Sequence, residues 1–367
     1  MDNRTSYDSR IDLVRFFAFF LVFFTHFVNK GGNALPESDD LWWSAPVLQR
    51  LADFGGQGVP IFFALTGFLL GRLLIKEYST HGSIKVRYFY LRRIYRIWPL
   101  YFLFVILCLL ANPFANGTPA VNLIELPYLL TFTYNWGQIY GSLPGSMATI
   151  TWSVSVEEQI YFIFPLLLVI SKRPRFRIVA IGLVLSGLLT LIMADTQLLP
   201  GAARQTTAYL LPVGVGLFCA IYEGALRKNL TRGNVFTLIA LLYSIIYPSM
   251  FKIISGTSLS NTLTMILTSL LFPAILHLSD KFMRRNSFPL MILARIGRIS
   301  YGCYLYHWAV WTVMTGKEIL YSPSEGFSII GVTVAFCVTV IISEISYRYF
   351  ESYFLKRRKS FQRVVAP

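Results

Sequence analysis

Ten stretches of this chain, at roughly 11–29, 57–75, 94–111, 152–170, 178–194, 207–225, 234–251, 260–278, 300–316 and 327–347, are apolar over about the length a helix needs to cross a bilayer. In hydrocarbon no water satisfies the backbone, so runs of this length are expected as helices, each closing its own hydrogen bonds. With 55% hydrophobic residues, 14% charged residues and a mean hydropathy of +0.56, the chain is too apolar for a soluble globular domain. The expected fold class is all-α: a polytopic integral membrane bundle of about ten transmembrane helices. No repeat at a fixed period and no linker sets off a second unit, so residues 1–367 are expected to form one membrane-embedded domain. The first run is longer than the hydrophobic region of a signal peptide and lacks a small-residue cleavage site after it, which argues against a removable leader.

A net charge of +15 would ordinarily raise nucleic acid as a partner, but its distribution points elsewhere. When the connecting segments are assigned alternately to the two sides, one side takes 27 of the 33 Lys and Arg residues. The other side takes five, and Arg15 lies within a span. By the positive-inside rule the crowded side faces the cytoplasm, with both termini on it. The basic balance therefore reads as topology, in a multi-pass protein of the plasma (bacterial inner) membrane. Cys108, Cys219, Cys303 and Cys337 all fall within expected spans and are not clustered. They read as small buried apolar residues, with no metal site or disulfide expected.

Ionisable groups inside spans are costly and normally face the protein interior to do a job. The first span, IDLVRFFAFFLVFFTHFV (Ile11–Val28), carries two, Arg15 and His26, eleven residues apart. At about 100° and 1.5 Å per residue they share nearly one helix face, roughly 16 Å apart along the axis. Arg93 and Arg96, three residues apart with Arg92 alongside, enter the third span as neighbours on one face. They read either as an anchor for anionic lipid or as a fork for phosphates, which guanidinium groups bind bidentately. Glu157 and Glu158 sit just inside Trp152, where a carboxylate needs a partner or a task. His307 stands alone in an aromatic setting, which suits a satisfied structural histidine. Gly67 and Thr66 in the second span are small enough to let another helix approach closely. The longest external segments, about 30–56 and 112–151, are rich in Trp, Tyr, Asn and acids. They fit a sugar-binding entrance or an interfacial aromatic belt.

Taken in order, R-x10-H (Arg15, His26), GVPIFFALTGFLL (Gly58–Leu70), R-x-x-R (Arg93, Arg96), WSVSVEEQIY (Trp152–Tyr161) and GRISYGCYLYHW (Gly297–Trp308) resemble the membrane acyltransferase-3 family. The likeness runs to YRYFESYFLKR (Tyr347–Arg357) at the last span. Each fragment alone is weak; five in order over nearly the whole chain are specific. The resemblance implies an enzyme that transfers an acyl group, commonly acetyl, from cytoplasmic acyl-CoA to a carbohydrate beyond the membrane. Its partners would be acyl-CoA, a surface polysaccharide or lipid-linked glycan, and membrane lipid. Some relatives carry an appended extracytoplasmic SGNH hydrolase-like domain; this chain stops at Pro367, and the membrane domain is expected to act alone or with a separate partner. Two departures stand out. Ile150 replaces a histidine often found two residues before the Trp, and Thr66 replaces a serine before the Gly-Phe of the second span.

Depth suggests how the residues divide the work. His26 should lie roughly 22 Å from the inner edge of a core about 30 Å thick, and Glu157 roughly 8 Å from the outer edge. These two are expected at similar depth, whereas Arg15 is expected level with Arg93 and Arg96 near the cytoplasm. Under that layering Arg93, Arg96 and Arg92 hold the phosphates of acyl-CoA. His26 takes a proton from the acceptor hydroxyl or accepts the acyl group transiently, and Glu157 orients or charges its imidazole. Arg15 binds the thioester end of the donor or neutralises a buried carboxylate. A transporter or flippase of lipid-linked sugars would line its path with the same charges. The ordered motifs and the lack of an obvious inverted repeat count against it. A membrane-embedded sensor or scaffold would leave the buried Arg, His and Glu without chemistry.

Overall fold

The computed structural model describes residues 8–29, 52, 54–111, 121–169, 175–196, 198–201, 204–230, 258–285, 287–316, 321–322, 326–327 and 329–362. The chain opens with α1 (Ser9–Asn29), α2 (Gly58–His81) and α3 (Val86–Leu110). Two short helices, α4 (Leu126–Leu130) and α5 (Tyr134–Tyr140), then lead into α6 (Trp152–Val169) and α7 (Phe176–Asp195). After these come α8 (Leu210–Ile221), α9 (Glu223–Leu230), α10 (Ser258–Met283), α11 (Phe288–Arg298) and α12 (Ser300–Gly316). The chain finishes with α13 (Ile329–Ser346) and α14 (Ser352–Arg358), joined by a π-helical turn over Tyr347–Glu351. The described extended structure is one antiparallel pair of two-residue strands, Tyr321–Ser322 with Gly326–Phe327.

Six described helices are long and apolar enough to cross a membrane: Gly58–His81, Val86–Leu110, Thr149–Val169, Phe176–Ala194, Leu263–Met283 and Ile330–Phe361. Of the four expected spans outside this set, 11–29, 207–225 and 300–316 are helical as α1, α8 with its 3-10 entry, and α12. The fourth, 234–251, lies outside the described residues. The outer faces fit a lipid setting. Ile178, Ile181, Leu185, Leu189 and Ile192 form an exposed stripe at three- and four-residue spacing along α7. Cys337 is exposed, unlike the other three cysteines, so the expectation of four buried thiols fails for it.

Close helix approach rests on glycine. A Cβ on Gly67 of α2 would collide with the main-chain oxygen of Val213 in α8, so these backbones lie against one another. Gly297 plays the same part at the end of α11: a Cβ there would collide with the main-chain oxygen of Asp12 in α1. That contact brings the α11–α12 junction against the helix that carries Arg15 and His26.

The third helix starts eight residues before its apolar run, because Val86–Arg93 holds neither Gly nor Pro and continues in helix. Arg93 and Arg96 therefore lie roughly 10 and 15 Å along α3, inside the bundle instead of at its rim. Upstream, Gly82 closes α2 with φ +64° and donates its N–H to Tyr78 O at 2.8 Å. The start of α1 is tied down by charge. Asp8 accepts from Arg10 at 2.6 Å and Arg72 at 3.2 Å, while Arg72 also meets Glu223 at 3.1 Å. Burial works against the Asp8 carboxylate, but the bonds and charges of Arg10 and Arg72 outweigh it and hold Asp8 below the ordinary aspartate value.

Candidate active site

A pocket with about 840 Å³ of empty space, counted to its open mouth, lies between α1, α2, α3, α6 and α12. Arg15, Arg93, Arg96 and Glu157 all line it, so four of the six residues singled out from sequence converge there. The apolar part of the wall comes from Val59, Phe62, Phe63, Leu65 and Leu69 of α2 and from Ile97 and Val154.

Three cations meet one carboxylate in this space. Arg93 stacks over the rings of Phe89 at 5.6 Å and Tyr161 at 5.0 Å. Among the described residues, neither Arg93 nor Arg96 makes a hydrogen bond or a direct ion pair, and Arg93 Nε is buried without a partner. Arg15 is tethered differently, donating from Nη1 to Asp12 Oδ1 at 2.9 Å. Asp12 is buried, and Arg298 Nε approaches its other oxygen at 3.9 Å. Glu157 Oε1 accepts from Thr66 Oγ1 at 3.1 Å and from the Tyr161 hydroxyl one helical turn on. Two guanidinium groups without a direct ion pair beside a mostly apolar wall have the chemistry to take a polyanion with an apolar tail.

Arg92 has another task. It is buried, donates from Nη2 to Glu77 Oε2 at 3.2 Å and from Nη1 to Phe361 O at 2.8 Å. Glu77 in turn accepts from the Lys85 main-chain N–H at 2.9 Å. Arg92 thus ties the end of α2, the start of α3 and the end of the described chain together, facing away from its two arginine neighbours. Glu158 likewise turns to α3, accepting from Trp98 Nε1 at 2.9 Å.

His26 lies beyond the pocket, and its described partner is a second histidine. Its Nδ1 stands 2.9 Å from His307 Nε2, with the two rings edge to edge, their centroids 5.2 Å apart and their planes within 7° of parallel. His307 is completely buried, and its Nδ1 contacts the main-chain oxygen of Tyr304 at 2.5 Å. A carbonyl oxygen only accepts, so His307 Nδ1 carries the hydrogen and its Nε2, in the neutral ring, holds a lone pair. His26 must then donate from Nδ1, which puts its own lone pair on Nε2. That is the tautomer a general base needs, held by two successive hydrogen bonds. Phe19 and Phe23 pack on His307 at 6.1 and 6.3 Å, and Trp308 meets His26 edge-on at 5.0 Å. Trp308 Nε1 donates to Ser146 O at 3.2 Å, which links the pair to the segment leading into α6.

The layering expected from depth is only partly met. Arg15 does line one pocket with Arg93 and Arg96, but so does Glu157, whose described bonds go to Thr66 and Tyr161. The imidazole of His26 is oriented by His307 instead. Three further residues that sequence reasoning passed over shape the site: Tyr161, Ser153 and Tyr304. Register offered a signal for one of them. Ser300, Tyr304 and His307 stand at i, i+4 and i+7 on one face of α12, and the first two line the pocket.

The sequence profile described as an acyltransferase domain matches residues 8–348. A peptidoglycan O-acetyltransferase of Listeria monocytogenes is 26% identical over 324 residues, covering 80% of this chain and 50% of that protein. A putative O-acetyltransferase of Staphylococcus aureus is 25% identical over 333 residues, covering 82% of this chain and 53% of its own length. An uncharacterised protein of Haemophilus influenzae, 25% identical over 242 residues, covers 60% of this chain and is itself covered over 98%. The chain spans about half the length of the first two relatives. No solved structure matches.

Proposed function

This chain belongs to the acyltransferase family, and on that premise we propose that it moves an acyl group, acetyl above all, from acyl-CoA to a hydroxyl of a polysaccharide or lipid-linked glycan. The observation that carries the reading is the histidine pair. His307, one helical turn past the pocket-lining Tyr304, holds the lone pair of His26 on Nε2, and Arg93 and Arg96 in that pocket make no direct ion pair among the described residues. Arg93 and Arg96 grip the donor's phosphates, and its pantetheine arm runs along the apolar wall of α2 and α6. Arg15 neutralises the buried Asp12 carboxylate and adds a third cation to the pocket. Glu157, bonded to Thr66 and Tyr161, offsets part of the mutual repulsion of the arginines. Arg92 serves as a structural tie and not as a phosphate ligand.

In the direct route, His26 Nε2 takes the proton of the acceptor hydroxyl as its oxygen attacks the thioester carbonyl. The C–S bond breaks, and the leaving thiolate takes the proton back from His26. In the relayed route the lone pair of His26 Nε2 attacks the acyl carbonyl and CoA leaves as the thiolate; the acceptor oxygen then displaces the imidazole, and its hydroxyl proton goes to the thiolate. Both routes need the same tautomer. The lysine and arginine distribution supports cytoplasmic termini and about ten spans in the plasma membrane, with the glycan on the far side. Residues 1–367 act as one membrane domain under this reading. The test is direct: purified protein in lipid, given acyl-CoA labelled in its acyl group and a panel of glycans, should place label on a glycan. Glycan movement across the bilayer without label incorporation would replace the enzyme with a carrier.

A further inference from the structure

The pocket ends at Tyr304, and the base lies behind it. On α12 the pocket-lining positions are Ser300, Tyr301 and Tyr304, and the next residue on that face is His307, which orients His26. On α1 the pocket-lining residue is Arg15, and His26 lies three turns further on. Pocket and base therefore sit in sequence along both helices, with the Tyr304 ring, 5.5 Å from the His307 ring, between them. This ring is pinned. Its hydroxyl bonds Ser153 Oγ at 2.6 Å and donates to Ile150 O at 3.2 Å, both at the entry to α6. Phe62 of α2 faces the ring edge-on at 6.4 Å and lines the same end of the pocket. The Ile150 carbonyl thus anchors the gate.

We propose that Tyr304 is the residue that sets acyl length, admitting the two-carbon acyl group of the donor to His26 and stopping longer chains. The proposal rests on the acyltransferase reading above. A thioester carbonyl brought to His26 Nε2 must pass the end of the pocket closed by Tyr304, Ser153 and Phe62. The methyl of an acetyl group needs little room beyond the carbonyl. A longer chain leads the carbonyl through the end of the pocket and has to be folded back against the Tyr304 ring, whose two hydrogen bonds oppose its turning away. Misfit of one methylene against an apolar wall discriminates by roughly 10–200-fold.

The test compares kcat/KM for butyryl-CoA with that for acetyl-CoA on one preparation, so that the fraction of folded protein cancels. Tyr304→Ala should raise the butyryl-to-acetyl ratio at least about tenfold over wild type, the low end for one methylene. Tyr304→Phe, which keeps the ring, should leave the ratio closer to wild type. Where Tyr304→Ala does not accumulate in the membrane, Ser153→Ala removes one of the ring's two anchors, and its ratio should rise by a smaller factor. A ratio within twofold of wild type in the variant that accumulates, with acetyl transfer retained, overturns the proposal. Failure of the wild-type protein to transfer any acyl group from CoA would instead overturn the function on which the proposal rests.

Discussion

Removing the second imidazole while keeping its bulk should expose what His307 does for His26. In His307→Leu the His26 Nδ1–H loses the acceptor now 2.9 Å away, in a position that is fully buried. A hydrogen bond between neutral groups contributes about 0.5–1.5 kcal/mol, and one to a charged group about 1.5–3 kcal/mol. In the ground state the bond is neutral. As His26 Nε2 gains a proton, the Nδ1–H becomes a charged donor and the bond moves into the stronger class. The larger loss therefore falls on the transition state; kcat reports the difference between the two losses, about 1–1.5 kcal/mol, or about 5–12-fold. Donor KM should stay near wild type, because Arg93 and Arg96 hold the phosphates elsewhere in the pocket. His307→Gln presents a side-chain oxygen near the position of Nε2 and should recover much of the rate. The assay is label transfer from acyl-CoA to glycan, normalised to protein that elutes as a folded species. A Leu variant with kcat within twofold of wild type would refute the relay, as would a Leu variant impaired only in donor KM.

Other expectations follow from the same geometry. Replacing Arg93 or Arg96 with Lys keeps the charge but loses the bidentate fork, so titration of donor should give a raised KM at normal protein level; an unchanged KM in both would return these residues to lipid anchoring. Gly297→Ala pushes a methyl group into the Asp12 carbonyl and should lower stability by about 1–3 kcal/mol, the usual cost of overpacking, as read from unfolding in detergent. Asp8 has a depressed folded-state value, so its stabilisation is present above the ordinary aspartate value near 3.9 and fades as pH falls through the lower folded value. Asp8→Asn should therefore melt below wild type at neutral pH, with the gap closing as the buffer is taken below about pH 4.

The sequence was most informative where physics acts along a single helix. Hydropathy located the long spans because bilayer thickness fixes their length, and Gly67 pointed to a close contact that α8 now supplies. Arg93 and Arg96 were legible as a pair because three-residue spacing on a helix makes neighbours. Legibility failed where partners come from far along the chain. His26 and His307 are separated by 281 residues, and no local pattern announces their meeting. Arg92 looked like a third phosphate ligand until Glu77 and the Phe361 carbonyl were seen to claim it. Glu157 was placed beside His26 by depths counted separately along two spans, which fix no lateral neighbour; Glu157 instead lines one pocket with Arg93 and Arg96 and bonds Thr66 and Tyr161.

The central claim is that His26 Nε2 is the base or acyl acceptor of the transfer, and His26→Ala tests it most directly. The measurement is turnover of labelled acyl-CoA to glycan per folded molecule, alongside donor binding to the same preparation. The account predicts that the variant inserts, folds and binds donor, while turnover falls by about 10²–10⁴-fold, the range that general-base work contributes. Folded His26→Ala protein that kept more than about a tenth of wild-type turnover would fall short of even the low end of that range and contradict the account.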